Sequence, residues 1–360
     1  MRKRRGLPKL PAVAVAVAVA LAVTACGDGG ADEDGVTLRF LVFEGPGQDT
    51  AARAAADQYM ADNPEVTVEF TAGSNAVEYP KMVAARETNA DEPLYDLIFS
   101  NAQTIAQGDL DGMWAQLDTS QMTHADDVLP AYRRPDDRGI GVGAGLVGIV
   151  YNDTLVDAPR SWNDLWESPE LRGQVVLWDY LWPYNGLVVA AHLHGGDEDN
   201  IDPGFEVWSQ HTDQIHSLIS STQQMTDLLA TGEAAATIWI KGNQMVWVEE
   251  GMPFGFAVPE EGAVAFPMYL AVAEDSSEVK REHAQNLIDL LLSPEYQLNY
   301  LESSFTGPVN QTVELPERFA SDPAFSQENL EAAIHLDWLK IAESSDDWRA
   351  RWDREVKDNL

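Results

Sequence analysis

Trp178-Asp179-Tyr180-Leu181-Trp182-Pro183-Tyr184 sets aromatic rings and a carboxylate side by side, directly after the apolar run Gly173 to Trp178. Exposing so many rings to water is costly, so some must face a core or a ligand. Ring faces attract cations, and Asp179 can pair an ammonium. Another ring, Trp239, stands near the end of the run Ala235 to Ile240, with Lys241 after it. A lysine there suits a carboxylate, a phosphonate or a similar anion. Toward the N-terminus, Phe43-Glu44 and Ser100-Asn101 also follow short apolar runs. Glu44 adds a second carboxylate, and Ser100 and Asn101 donate or accept hydrogen bonds. Asp179, Trp182, Tyr184, Trp239, Lys241, Glu44, Ser100 and Asn101 are therefore candidate ligand-binding residues.

The patterns that would signal catalysis or a cofactor are weak. There is no Gly-x-Ser-x-Gly elbow. His192-Leu193-His194 offers two metal-ligating side chains without an assembled third. The glycine-rich stretch Gly139 to Gly145 precedes an apolar run rather than a helix, so it lacks the helix N-terminus that holds phosphate. It reads instead as a flexible approach to a hinge. No catalytic residue, metal site or cofactor is expected.

These candidates need a scaffold, and the hydrophobic pattern supplies one. Val36 to Phe43, Val66 to Phe70, Tyr95 to Phe99, Leu146 to Tyr151, Ala235 to Ile240 and Phe254 to Val258 read as strands. Thr50 to Asp62, Val77 to Thr88, Ser161 to Glu167 (with Ser161 as N-cap), Asn185 to His192, Ile201 to Gln210, Ser221 to Ala230 and Val279 to Leu292 read as helices. Ala263 to Ala273 is a long apolar extended run, and the tail predicts two helices, Ser326 to Ala342 and Asp346 to Asn359. Alternating strands and helices imply an α/β fold with parallel pairing. The chain is long enough for two lobes with separate cores. It is expected to cross between them near Gly145–Tyr151 and to return near Val264–Val272, making a hinge. Ligands of open α/β sheets sit beyond the carboxyl ends of strands, where all the candidate residues above fall.

The N-terminus carries Arg2, Lys3, Arg4, Arg5 and Lys9, then an apolar run from Leu10 to Ala25 that ends at Cys26. A basic start, a short apolar core and small residues at the cut describe a secretory signal, and the run falls short of the about 20 residues of a spanning helix. Cys26 is the only cysteine, so no intrachain disulfide can form. Its position at the end of the run gives the lone cysteine a reason. The segment GDGGADEDG after it is small and acidic and reads as a flexible tether over 26–35. With 59 acidic against 23 basic residues, the net charge of −36 argues against a nucleic-acid partner.

Several segments together resemble the extracellular solute-binding proteins of ABC importers, in the branch that contains the spermidine/putrescine-binding proteins. They are YDLIFSNAQTIAQGDLDGMWAQLD (Tyr95 to Asp118), GLVGIVYNDTLVDAPRSWNDLW (Gly145 to Trp166), PELRGQVVLWD (Pro169 to Asp179), GEAAATIWIKG (Gly232 to Gly242), VPEEGAV with YLAVAEDS (Val258 to Ser276), and HAQNLIDLLLSPEYQLNYLESSFTGPVN (His283 to Asn310). Val23-Thr24-Ala25-Cys26 likewise resembles a bacterial lipobox, which would lipidate Cys26. The resemblance implies a two-lobed, type II periplasmic-binding-protein fold. Residues 36–140 with 265–312 would form one lobe and 141–264 the other, with C-terminal helices over 313–360 packed on them. It implies a monomeric, lipid-anchored protein on the outer face of the cell membrane that captures a small molecule and passes it to permease subunits. Polyamine-binding members hold their di-cation with an Asp in a Trp-x-Asp arrangement; here Met268 stands in that place, beside Tyr269. Met268 and Tyr269 join the candidate ligand residues on these grounds. A polyamine-like amine leads among the expected solutes, with an amino-acid-like or anionic organic solute as the alternative raised by Met268 and Lys241.

Overall fold

β-Branched runs become strands because their stiff side chains fit a pleated surface, and the alanine-rich and amphipathic stretches between them become helices. The computed structural model describes residues 35–44, 47–88 and 92–360. The signal, Cys26 and all but the last residue of the tether lie outside the described residues. In chain order the larger elements are β1 (Val36–Phe43), α1 (Thr50–Asp62), β2 (Val66–Gly73), α2 (Asn75–Thr88), β3 (Leu97–Asn101), α3 (Ala102–Leu110), β4 (Ile140–Asn152), α4 (Asp164–Glu167), β5 (Val175–Trp178) and α5 (Leu187–Leu193). There follow α6 (Asp202–Gln210), β6 (Ile215–Ile219), α7 (Thr222–Thr231), β7 (Ala236–Ile240), α8 (Lys241–Glu249), β8 (Phe254–Ala257), β9 (Val264–Val272), α9 (Glu278–Leu291), α10 (Pro294–Ser304), α11 (Glu317–Ala320), α12 (Gln327–Ala332) and α13 (Trp338–Glu355).

The strands form one nine-stranded sheet in the order β2-β1-β3-β9-β4-β7-β5-β6, with β8 also paired to β4. β1 pairs parallel with β2 and β3, and β5 pairs parallel with β6 and β7. Between these parallel groups, β9 and β4 run antiparallel to each other and to their outer neighbours.

Two large hydrophobic cores flank this junction. The first gathers Phe40, Phe99 and Leu287, and the second gathers Trp162, Trp166, Trp208 and Ile238. β4 contributes Ile140, Val142, Ala144 and Leu146 to the first core, then Val147, Ile149 and Val150 to the second. β9 contributes Val264 to the second, and Ala265, Met268, Leu270 and Val272 to the first. Both strands thus run from one core into the other, close to the crossings expected from the sequence.

The first core is tied by Asp96, which is fully enclosed. Its carboxylate accepts from the Arg39 N–H at 2.9 Å, Ser276 Oγ at 3.0 Å and Lys280 Nζ at 3.3 Å. The second is closed by α13, which inserts Ile341, Trp348 and Trp352. At the start of that helix, Glu198 accepts from the Asp337 N–H at 2.9 Å and pairs His192 Nε2 at 2.9 Å.

Local expectations need correction in several places. The glycine-rich approach is not a loose link, because β4 already begins at Ile140. A side chain at Gly143 would meet the Tyr300 ring at 2.7 Å, and one at Gly145 would meet Ile240 at 2.2 Å. These glycines allow close packing. The helix expected over Ser161 to Glu167 is only the one-turn α4, capped at Asn163; the Ser161 hydroxyl accepts the Asn163 N–H at 3.0 Å and donates to Glu261. The tail does not break near 343–345. Ile341, Trp348 and Trp352 recur on one helical face, and their burial carries α13 through without interruption. β6 and α8 had no counterpart in the strand and helix expectations.

Candidate functional site

β5 and β7 are parallel neighbours, with Val175 beside Ala236 and Val176 beside Thr237. Continuing that register sets Trp178 beside Trp239 at the carboxyl ends of both strands. Their rings stack with centroids 4.9 Å apart and planes 15° from parallel. A short 3-10 turn, Trp182–Tyr184, then brings Tyr184 to 4.4 Å from Trp239. Tyr184 lies 5.5 Å from Phe266 of β9, and Phe266 lies 5.7 Å edge-on from Trp338, the first residue of α13. The result is a continuous run of rings from the ends of β5 and β7 to a strand shared by both cores. Trp239 Nε1 donates to Asn243 Oδ1 at 3.1 Å, which fixes its indole. Burial pushes the Tyr184 phenol far above its ordinary range, so it stays protonated.

Other predicted residues are engaged elsewhere. Trp182 is fully enclosed, donates from Nε1 to Ser345 Oγ at 2.9 Å, and meets Trp348 edge-on at 5.6 Å. It packs against α13. Asp179 forms an ion pair with Lys357, while its other oxygen, Oδ1, is buried without a partner. The Asp179 and Tyr180 hydrogen bonds hold the Lys357 ammonium well above its usual pKa. Tyr180 adopts a positive φ of 62°, donates to Asp353, and has the Arg349 and Lys357 cations at 4.7 and 4.8 Å from its ring centre. Lys241 is the first residue of α8; its Nζ sits 2.8 Å from Asp322 and 5.2 Å from the Phe256 ring centre. That cation is therefore already paired.

At the β1 and β3 ends, Glu44 is exposed. Ser100 is fully enclosed opposite Tyr269, and its hydroxyl has no partner. Asn101 caps α3 by accepting the Thr104 N–H at 3.0 Å. Met268 is buried in the first core. Tyr269 belongs to a smaller cluster under α3, with the Arg134 guanidinium 5.9 Å from its ring centre. Burial pushes its phenol up to about 12. A recess between α1 and α10 is lined by Phe40, Gln48, Phe99, Val142 and Tyr300 among others, and shares no residue with the run of rings.

The structure thus brings Tyr184 and Trp239 together and leaves Glu44, Asp179, Lys241 and Trp182 to separate roles. Trp178 and Phe266 were not among the candidates. The signal for Trp178 was present, since VVLW and ATIWI both end in or near a tryptophan at matched parallel positions. Among the described residues no group of three or more His, Cys, Asp or Glu side chains is placed to hold a metal, and no helix is long and apolar enough to cross a membrane.

A family model for bacterial extracellular solute-binding proteins matches residues 54–327. The chain belongs to that family. Among curated proteins none matches. Among solved structures, it resembles an ABC transporter protein from Clostridium perfringens at 19% identity and a TM-score of 0.75, covering 89% of this chain and 99% of that one. An ABC transporter substrate-binding protein from Bradyrhizobium japonicum gives 19% and 0.70, with 89% and 99% covered. A spermidine/putrescine ABC transporter substrate-binding protein from Streptococcus pneumoniae gives 18% and 0.70, with 88% and 99% covered. This solute-binding protein therefore has the α/β fold of the type II periplasmic binding proteins, with β4 and β9 running between its two cores.

Proposed function

We propose that this chain is the capture component of an ABC-type importer. It traps one small organic solute where its two cores meet and hands it to membrane permease subunits, without chemistry of its own. The observation that carries this reading is the run Trp178–Trp239–Tyr184–Phe266. It stands at strand carboxyl ends, the general position for ligands of α/β sheets, and reaches a strand common to both cores. The family assignment supports the role, and the two cores fit a division close to 36–140 with 265–312 and 141–264, with β4 changing core between Leu146 and Val147 and β9 between Val264 and Ala265. The tail contributes to both, with Leu330 in the first core and Ile341, Trp348 and Trp352 in the second. The lipobox-like Val23-Thr24-Ala25-Cys26 supports a lipid anchor outside the cytoplasm. Replacing Cys26 with Ser should release the protein from membranes, and retention would remove the anchor from this reading.

A di-cation finds little here, although one structural neighbour belongs to a spermidine/putrescine transporter. Glu44 is exposed, Asp179 is paired with Lys357, and Met268 carries no charge. The test is a thermal-shift and tryptophan-fluorescence screen of amines, amino acids, opines and organic acids. A solute at 100 times its Kd should stabilise the protein by about 2.7 kcal/mol. The Trp239→Ala protein should lose that response; an unchanged response would move the site elsewhere.

A further inference from the structure

Residues of the ring cluster, or next to it in the chain or along β7, carry polar groups that the protein leaves unsatisfied. Trp178 is 9% exposed, and its Nε1–H has no acceptor. Asn185 follows Tyr184 and is fully enclosed; its Oδ1 accepts the Leu187 N–H at 3.0 Å, while its Nδ2 donates to nothing. Thr237 lies two residues before Trp239 and so points to the same face of β7; its enclosed hydroxyl is also unpaired. A buried donor without an acceptor costs about 1–3 kcal/mol, so three of them on the rings or next to them in the chain or along β7 need a reason.

An indole N–H and an amide NH₂ can only donate, and so can a fully protonated polyamine. These donors must meet an oxygen acceptor. The ring faces favour a cation. We infer that the solute is a small zwitterion of the amino-acid class. Its carboxylate is received by the Trp178 and Asn185 donors with the Thr237 hydroxyl, and its ammonium lies against the ring faces. This rests on the capture-protein reading above and specifies the solute for the same site.

The test uses chains of matched length that differ only in charge. Putrescine, 4-aminobutyrate and succinate form one set, and cadaverine, 5-aminopentanoate and glutarate the next; glutamate and lysine extend it. Thermal shift and fluorescence titration on the soluble, signal-free protein should rank the amino acids above the matched diamines and diacids. Trp178→Phe keeps the ring and removes the N–H, and should weaken amino-acid binding about tenfold. Thr237→Val should weaken binding while raising the urea midpoint of the ligand-free protein, because it removes an unsatisfied hydroxyl without changing shape. A purely structural threonine would not give that pair of effects. A diamine or diacid binding more tightly than its matched amino acid overturns the inference, as does no response to any amino acid, or a Thr237→Val protein less stable than the parent. If a diamine binds and Trp239→Ala abolishes it, only the solute class fails. If an amino acid binds and Trp239→Ala leaves it intact, the site itself is misplaced.

Discussion

The carboxyl ends of β5 and β7 and those of β1 and β3 occupy equivalent positions in their halves of the sheet, yet they are built differently. The first pair ends in stacked tryptophans with unpaired donors beside them. The second ends in an exposed Glu44 and in Asn101, whose side chain caps α3. Recognition needs groups held rigidly and kept from water, and in this molecule the β5–β7 end meets that need. The β1–β3 end contributes mainly one enclosed hydroxyl, on Ser100. Affinity and specificity should therefore be unequal between the halves.

Removing the central ring should break this contrast most severely. Trp239→Ala deletes a buried indole between Trp178 and Tyr184, and should cost about 3–5 kcal/mol of stability by urea denaturation along with the solute response. Asp96→Asn gives the control in the other half. Leaving the Arg39 and Lys280 cations against a neutral buried amide should cost about 3 kcal/mol while solute affinity in the folded protein stays unchanged. A smaller effect distinguishes the halves by pH. The Glu198 hydrogen bond raises the His192 pKa against the pull of burial. Burial raises the Glu198 carboxyl, but His192 and the Asp337 N–H outweigh it and leave it lowered. The histidine contribution is complete below about pH 6.5 and fades as pH rises through the raised value; the carboxylate contribution fades as pH falls through the lowered one. Stability measured across pH 4 to 9 should show about 1 kcal/mol of such dependence, and His192→Ala should flatten its alkaline side. Least of all, Glu44→Gln should change stability by less than about 0.5 kcal/mol.

The α/β fold was legible because long apolar runs such as Ala263 to Ala273 have few alternatives to a buried strand. β6 was missed because IHSLI places a histidine and a serine inside a short run that only its pairing with β5 makes a strand. α8 was missed because Lys241-Gly242-Asn243 looks like a turn, and packing of Met245 and Val246 against the Phe305–Phe319 cluster overrides that preference. The site was legible in part. Tyr184 and Trp239 announce themselves as rings after strands, but Asp179 and Lys241 find partners, Lys357 and Asp322, far away in the chain. Local reading has no access to such pairings. The Trp178–Trp239 stack depends on strand register, a relation between two segments that neither carries alone.

The helix that closes the second core has a consequence for the order of events when the protein is made. Val147, early in that core, waits on Trp348, Trp352 and Val356, so the half of the molecule bearing the stacked indoles stays incomplete until some two hundred further residues have emerged. The core beneath the recognition surface of that half is therefore complete only once α13 has been made.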